Sequence, residues 1–268
     1  MAHIRMKIYS NCLRRYTHVT VLMPTPTEND YTPEEIDSFD GPRFFKEQPR
    51  YRVLYLLHGT HGDDTDWSYY SNVERNIIGT DLMVVCPDGN NSFWVDMEDG
   101  PRQATYLTKE LPAYINRMFP TRPEREHTFM AGLSMGGFAT LSNAIQNPEL
   151  YSKVAALSAG IGTGELGILK TRTYPWKLIL PASGETKGTA LDGEFHLRKA
   201  VEEEKELPGI YLTVGTEDFL YENVCKTRAL LDELKVSYVY DEGPGAHTFE
   251  FWSEHIPKII AWMLADET

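Results

Sequence analysis

Apolar residues along the chain come in short runs broken by turn-forming residues, and the rhythm changes after the first fifty positions. Residues 6–10 and 18–23 predict two opening strands, the second ending at Pro24-Thr25-Pro26, which suits an antiparallel start. Residues 27–49 are polar with scattered Pro and Gly, a surface excursion with a short helix expected around 33–37. Beyond it, 53–57 and 82–86 are continuous apolar runs suited to strands covered on both faces, while 104–119 has helical spacing. A strand over 127–131 is followed by a helix over 138–145 that Asn147-Pro148 closes. Strands over 154–158, 210–214 and 236–241 follow, with a helix over 222–234 between the last two and another over 256–264. This alternation predicts an α/β fold, a mostly parallel sheet of about eight strands with helices on both faces. Only 159–207 breaks the pattern, with Gly162, Gly164, Gly167, Tyr174-Pro175-Trp176 and Ser183-Gly184. Lacking linker composition, it is expected to be an insertion in a single domain spanning 1–268, either a lid or acyl pocket over the site or a plain surface loop.

Composition narrows the function classes. A content of 41% hydrophobic and 24% charged residues is that of a globular protein, and no apolar run approaches the ~18 residues of a membrane helix. No apolar segment follows the basic residues at the start, so a cytoplasmic protein is expected. A net charge of −13 argues against a nucleic-acid groove. Cys12, Cys86 and Cys225 form no CxxC pair and are odd in number, which disfavours a disulfide framework or thiolate metal site and predicts buried thiols. The acidic run 202–206 is expected on the solvated face of a helix. No cofactor is implied, and a homo-oligomer is compatible with the sequence.

The chemistry centres on Gly132-Leu133-Ser134-Met135-Gly136, placed between a predicted strand and a predicted helix. Such a turn presents a nucleophilic serine in strained backbone, with small residues two before and two after it where strand meets helix. A serine hydroxyl needs a base, and the base needs a carboxylate to fix its tautomer. Asp218 follows the strand 210–214 and His247 the strand 236–241, the order Ser, acid, His at successive strand ends. Glu217 competes with Asp218 for the acid role, and the shorter acid is preferred. His3, His18, His127 and His196 miss the required position, and His255 is expected at the start of the final helix. An oxyanion needs two backbone N–H donors: Met135 follows the serine, and Thr60 lies in His58-Gly59-Thr60-His61-Gly62 after an earlier strand. In that loop His58, His61, Asp63 and Asp64 also support a rival metallohydrolase reading, but no second ligand cluster follows downstream. A binding module that merely keeps such a fold is a further alternative.

With these residues in place, the chain resembles the esterase D-like branch of the α/β-hydrolases, near bacterial tributyrin, acetyl and feruloyl esterases. The resemblance runs from about Met6 to the final helix and rests on Leu56-Leu57-His58-Gly59 with Trp67, Val84-Val85-Cys86-Pro87-Asp88, Ser92-Phe93-Trp94-Val95-Asp96, the Gly132–Gly137 stretch, Gly215–Asp218 and His247–Trp252. It implies a cofactor-free Ser-His-Asp carboxylesterase acting on small ester substrates of short-chain acyl or hydroxycinnamoyl type, with acylated sugars and phenolic esters among them. S-formylglutathione thioesters and acyl transfer are the alternatives on the same triad. It carries Ser134, Asp218 and His247 over as the triad and Thr60 and Met135 as oxyanion donors. His58, Gly59, Trp67, Trp94 and Trp176 are the substrate-pocket candidates, although tryptophan more often packs in a core. Two departures stand out: Thr60 replaces an apolar residue, and the chain is shorter at the front than many S-formylglutathione hydrolases.

Overall fold

A computed structural model describes residues 1–27, 30–32, 34–35, 50–162, 179 and 185–265. Its strands are β1 (Ala2–Ser10), β2 (Arg15–Met23), β3 (Arg52–Leu57), β4 (Leu82–Pro87), β5 (Thr128–Leu133), β6 (Lys153–Leu157), β7 (Gly209–Gly215) and β8 (Val239–Gly243). They form one eight-stranded sheet in the order β1-β2-β4-β3-β5-β6-β7-β8. β1 pairs antiparallel with β2 and β2 with β4, and every later pairing is parallel. The parallel strands therefore end on one edge, where ligand sites of open α/β sheets form.

Alternation inside the apolar strands sorts their side chains between two cores. Val53, Tyr55 and Leu57 of β3 face one core with Met83, Met130, Val154 and Leu212, while Leu54 and Leu56 face the other with Val84, Phe129 and Ala155. The first core is covered by α3 (Leu111–Met118), α4 (Met135–Gln146), α5 (Gly193–Glu202) and α6 (Tyr221–Glu233), through residues such as Ile115, Leu141, Leu197 and Val224. The second is covered by α1 (Asp66–Tyr70), α2 (Val73–Ile77) and α7 (Phe249–Leu264), through Trp67, Ile77, Ile256 and Ile260. A strand buried on both faces needs no polar side, hence the continuous apolar runs.

Several expectations change. β1 begins at Ala2 and β8 only at Val239. α7 starts at Phe249 and runs through Pro257, so His255 lies buried in the helix rather than at its start. The predicted helix 104–119 contains a π-helical turn over Tyr106–Glu110 that leads into α3. Of the acidic run, only Glu202 is helical; Glu203 and Glu204 form a turn, and Lys205 and Glu206 lie in neither helix nor strand. Cys12 and Cys86 are buried thiols, but Cys225 is half-buried on α6. α5 emerges from within 159–207, capped by the Asp192 carboxylate on the Phe195 N–H, and is tied to α4 by Ser142 Oγ donating to the Ala190 carbonyl at 2.9 Å. That part of the insertion is a flanking layer of the sheet. The remainder of the lid expectation, with Trp176 and most of the helix expected near 33–37, lies outside the described residues.

Candidate active site

Ser134 follows the last residue of β5 with φ 53° and ψ −119°, a backbone conformation that L residues rarely adopt. The turn survives because the next layer of chain comes close to it. A Cβ on Gly136 would lie 2.6 Å from the carbonyl oxygens of both Leu57 and His58, so only glycine lets α4 start against the end of β3. Likewise a Cβ on Gly59 would lie 2.6 Å from Leu133 Cδ1 and 3.3 Å from Ser134 Cβ, which presses the loop after β3 onto the nucleophile turn.

The loops after β7 and β8 continue their strand pairing past the sheet. Thr216 N–H donates to the Gly243 carbonyl at 2.9 Å and Glu217 N–H to the Gly245 carbonyl at 3.0 Å. Glu217 returns its carboxylate to the Gly245 N–H. This clamp directs Glu217 outward, and its neighbour Asp218 takes the interior. Asp218 has a fully buried carboxylate with Oδ2 and Oδ1 at 2.9 and 3.0 Å from His247 Nδ1. His247 Nε2 stands 2.9 Å from Ser134 Oγ. Nδ1–H donates to the carboxylate, leaving Nε2 to accept from the serine hydroxyl. Burial pushes the Asp218 carboxyl up, but hydrogen bonds from His247 and the Leu220 N–H outweigh it, so the group sits below the usual carboxylate range.

Met135 directly follows Ser134, and Thr60 follows Gly59, whose loop is pressed onto the nucleophile turn. Met135 opens α4, where an N–H has no intrahelical acceptor, and among the described residues no turn or loop hydrogen bond uses the Thr60 N–H. His58 braces the loop that carries Thr60: its Nδ1–H donates to the Gly59 carbonyl at 2.6 Å, and Nε2 accepts from the Gly89 N–H at 2.9 Å.

The other sequence candidates separate. Asp64 is buried on Arg5 at 2.8 Å and Thr20 Oγ1 at 2.8 Å, fastening the loop to β1 and β2. Asp63 accepts from the Thr65 N–H and hydroxyl. Among the described residues no three His, Cys, Asp or Glu side chains converge where they could hold a metal ion. Trp67 is fully buried, donating to the Leu57 carbonyl at 3.0 Å, and Trp94 is fully buried against His58 at 5.5 Å between ring centroids. Neither exposes surface to a substrate, so both support the loops from beneath; tryptophan's large area favours that use.

Residues that the sequence reading passed over complete the surroundings. Phe219, 56% exposed, lies 4.4 Å from the His247 ring, and Trp252 meets the same ring edge-on at 5.0 Å. Ser158, one residue past β6, accepts from Trp252 Nε1 at 2.9 Å and so fixes the indole that meets His247. Phe219 was legible as the neighbour of a predicted acid, but nothing local marks Ser158.

A nucleophile turn after β5, an acid after β7 and a histidine after β8 define a serine hydrolase of the α/β-hydrolase fold. The family model "Putative esterase" matches residues 38–263, and the chain belongs to this esterase family. An acetyl esterase of Caldicellulosiruptor saccharolyticus is 27% identical over 98% of both chains. Among solved structures, the fluorophosphonate-binding serine hydrolase F of Staphylococcus aureus superposes with a TM-score of 0.87 at 28% identity, covering 99% of both chains. The S-formylglutathione hydrolase of the same species gives 0.84 at 28% identity, over 98% of this chain and 99% of its own. The protein is a carboxylic ester hydrolase, and among the described residues no helix is long and apolar enough to cross a membrane.

Proposed function

We propose that the protein hydrolyses short-chain acyl esters through an acyl-enzyme on Ser134. The observation that carries this reading is the continuous hydrogen-bonded line Ser134 Oγ, His247, Asp218, with links of 2.9 Å on both sides of the imidazole. Oγ attacks the ester carbonyl as its proton passes to Nε2, and Asp218 stabilises the imidazolium. The N–H groups of Thr60 and Met135 receive the oxyanion. Collapse expels the alcohol, which takes the proton from Nε2, and water then repeats the cycle on the acyl-enzyme. The reading treats residues 1–268 as one hydrolase domain with 159–207 as its insertion.

An acetyl- or butyryl-type acyl group is supported by the likeness to the acetyl esterase along nearly the whole chain. Phe219 supports a ring-bearing alcohol, an acylated sugar or a phenolic ester, because its exposed face borders the imidazole that must protonate the leaving group. A second reading, thioester hydrolysis of S-formylglutathione type, is supported by the equally extended likeness to the staphylococcal hydrolase.

Ser134→Ala tests the chemistry: the expected loss in kcat on p-nitrophenyl acetate is on the order of 10⁵-fold or more, with loss of fluorophosphonate labelling. A folded variant with wild-type rate would overturn the mechanism, and a wild-type protein that fluorophosphonate does not label would favour a binding module. Dialysis against a chelator is expected to leave the rate unchanged. A kcat/KM series over acetyl, butyryl, octanoyl, feruloyl and S-formyl thioester substrates, with and without an acceptor alcohol, is expected to peak at acetyl or butyryl with water as acceptor. A peak at the thioester would select the second reading.

A further inference from the structure

The N–H of Thr60 belongs to a peptide unit whose other end is held. In a planar trans peptide the Gly59 carbonyl and the Thr60 N–H lie in one plane and point opposite ways, so whatever fixes the carbonyl aims the donor. His58 fixes it: Nδ1 lies 2.6 Å from the Gly59 oxygen, which meets the Gly62 N–H only at 3.4 Å. The tautomer is forced, because a carbonyl only accepts and the Gly89 N–H, 2.9 Å from Nε2, only donates. Nδ1 therefore carries the proton. Gly89 is fixed in turn: its carbonyl accepts from Gln103 Nε2 at 3.1 Å, and Trp94 covers it so closely that a Cβ there would lie 2.3 Å from Trp94 Cζ2. His58, Trp94 and Gln103 are all buried, which shields these bonds from water.

We propose that His58 and Gln103 are positioning residues of the oxyanion hole: Gln103 holds Gly89, Gly89 sets the His58 imidazole, and His58 Nδ1–H turns the Gly59–Thr60 peptide so that the Thr60 N–H meets the oxyanion. The inference rests on the acyl-enzyme reading above. Gly59 abuts the nucleophile, since a Cβ on it would lie 3.3 Å from Ser134 Cβ, and among the described residues no turn or loop hydrogen bond holds the Thr60 N–H itself. Its direction therefore depends on the carbonyl end of the peptide, and Gly59, without a Cβ, leaves that peptide free to rotate. Without the Nδ1–H, the carbonyl keeps among the described residues only the 3.4 Å contact from Gly62, which is long for a hydrogen bond. The donor then loses its aim while Ser134, His247 and Asp218 keep their places. Charge develops on the ester oxygen only on the way to the tetrahedral intermediate, so a misdirected donor lowers kcat and leaves ester binding alone.

The test compares H58N, H58Q, H58F, Q103L and H58F/Q103L with the wild type on p-nitrophenyl acetate, with rates expressed per site titrated to its end point with fluorophosphonate. It also measures affinity for an aryl trifluoromethyl ketone, whose adduct with Ser134 places an oxyanion in the same hole. Asparagine sets its amide nitrogen near the Nδ1 position and glutamine near Nε2, so only H58N keeps a donor for Gly59. H58F and H58Q are each expected to lose about thirtyfold in kcat, part of the ~10²–10³-fold effect of a whole oxyanion donor, and H58N about threefold. KM should stay within about twofold, and ketone affinity should fall in parallel with kcat/KM. Q103L should lose about threefold, and the double variant should match H58F, because Gln103 acts through the imidazole. Equal losses in the three His58 variants, ketone affinity unchanged where kcat falls, losses that vanish per titrated site, or additive effects in the double variant would each overturn the proposal. If H58F fails to fold, H58N against H58Q decides on the same criteria. Failure of the triad itself would show separately, as activity or labelling that survives Ser134→Ala.

Discussion

Asp218 and Glu217 are adjacent carboxylates with opposite fates. Asp218 is buried on His247, whereas the exposed Glu217 is drawn below its ordinary range by the Gly245 N–H and the Thr216 hydroxyl. Both residues stood in the predicted loop, and preferring the shorter acid matches the contact found. The reason for the contact, however, is the Gly245 clamp, which belongs to another strand. Asp218→Asn is therefore expected to lower kcat on the order of 10³–10⁴-fold by giving His247 the wrong tautomer, while Glu217→Gln, which keeps an acceptor for Gly245, stays within a few-fold. Steady-state kinetics of the two variants side by side checks this contrast, and equal losses would count against the assignment. At the same scale, Phe219→Ala should raise KM several-fold for p-nitrophenyl acetate and little for ethyl acetate, because an exposed ring against the His247 imidazole offers apolar surface to an aryl leaving group that ethanol lacks. An equal rise for both esters would sink that role.

At the scale of elements, the site is a set of strand ends brought level by parallel pairing. Leu57 pairs with Gly132, and Gly215 pairs with Gly243, so the loops after β3, β5, β7 and β8 start on one edge. The nucleophile turn depends on backbone contact between β3 and α4, and this sets its tolerance. Gly136→Ala puts a methyl against two carbonyl oxygens that cannot rotate away, and should cost about 3 kcal/mol, the upper end of overpacking. Urea unfolding would read this as a lower midpoint at unchanged slope, and an unchanged midpoint would refute the tight contact. Strong periodicity made most elements legible in the sequence. α1 and α2 were not, since five residues each show too little of a helical period. α5 carried a signal that the surrounding glycines obscured: the Asp192 cap, then Leu197, Ala200 and Val201 at helical spacing. α7 starts seven residues before the stretch 256–264 in which its period is strongest. Phe251, Trp252, His255 and Ile256 already follow the period, and Pro257 is carried inside the helix.

For the whole molecule, acid stability follows from carboxylates that the fold holds below their ordinary range. Burial raises Glu110, Asp218 and Asp241, but the overriding partners are Ser10 and two N–H groups for Glu110, His247 for Asp218, and Lys258 with His255 for Asp241. A folded pKa below the unfolded one means that the stabilisation is complete above the unfolded range and lost as pH falls through the folded value. Asp66, raised by burial, works against this trend. Unfolding free energy should therefore drop steeply below about pH 4, and Asp218→Asn should flatten part of that slope. Urea titrations at several pH values test both, and an identical slope in the variant would contradict the assigned shift. The sequence by itself determined the order of strands and helices, the strand-end placement of Ser134, Asp218 and His247, and the loop of Thr60. Those features are written in local periodicity and turn chemistry, which need only a few neighbouring residues. Tertiary structure alone decided which acid faces the histidine, that Trp67 and Trp94 go under the loops, and that Trp252 meets both Ser158 and His247. Those contacts exist because β6 lies beside β7 and α7 packs across both, an adjacency set by the burial of whole faces rather than by any short stretch of chain.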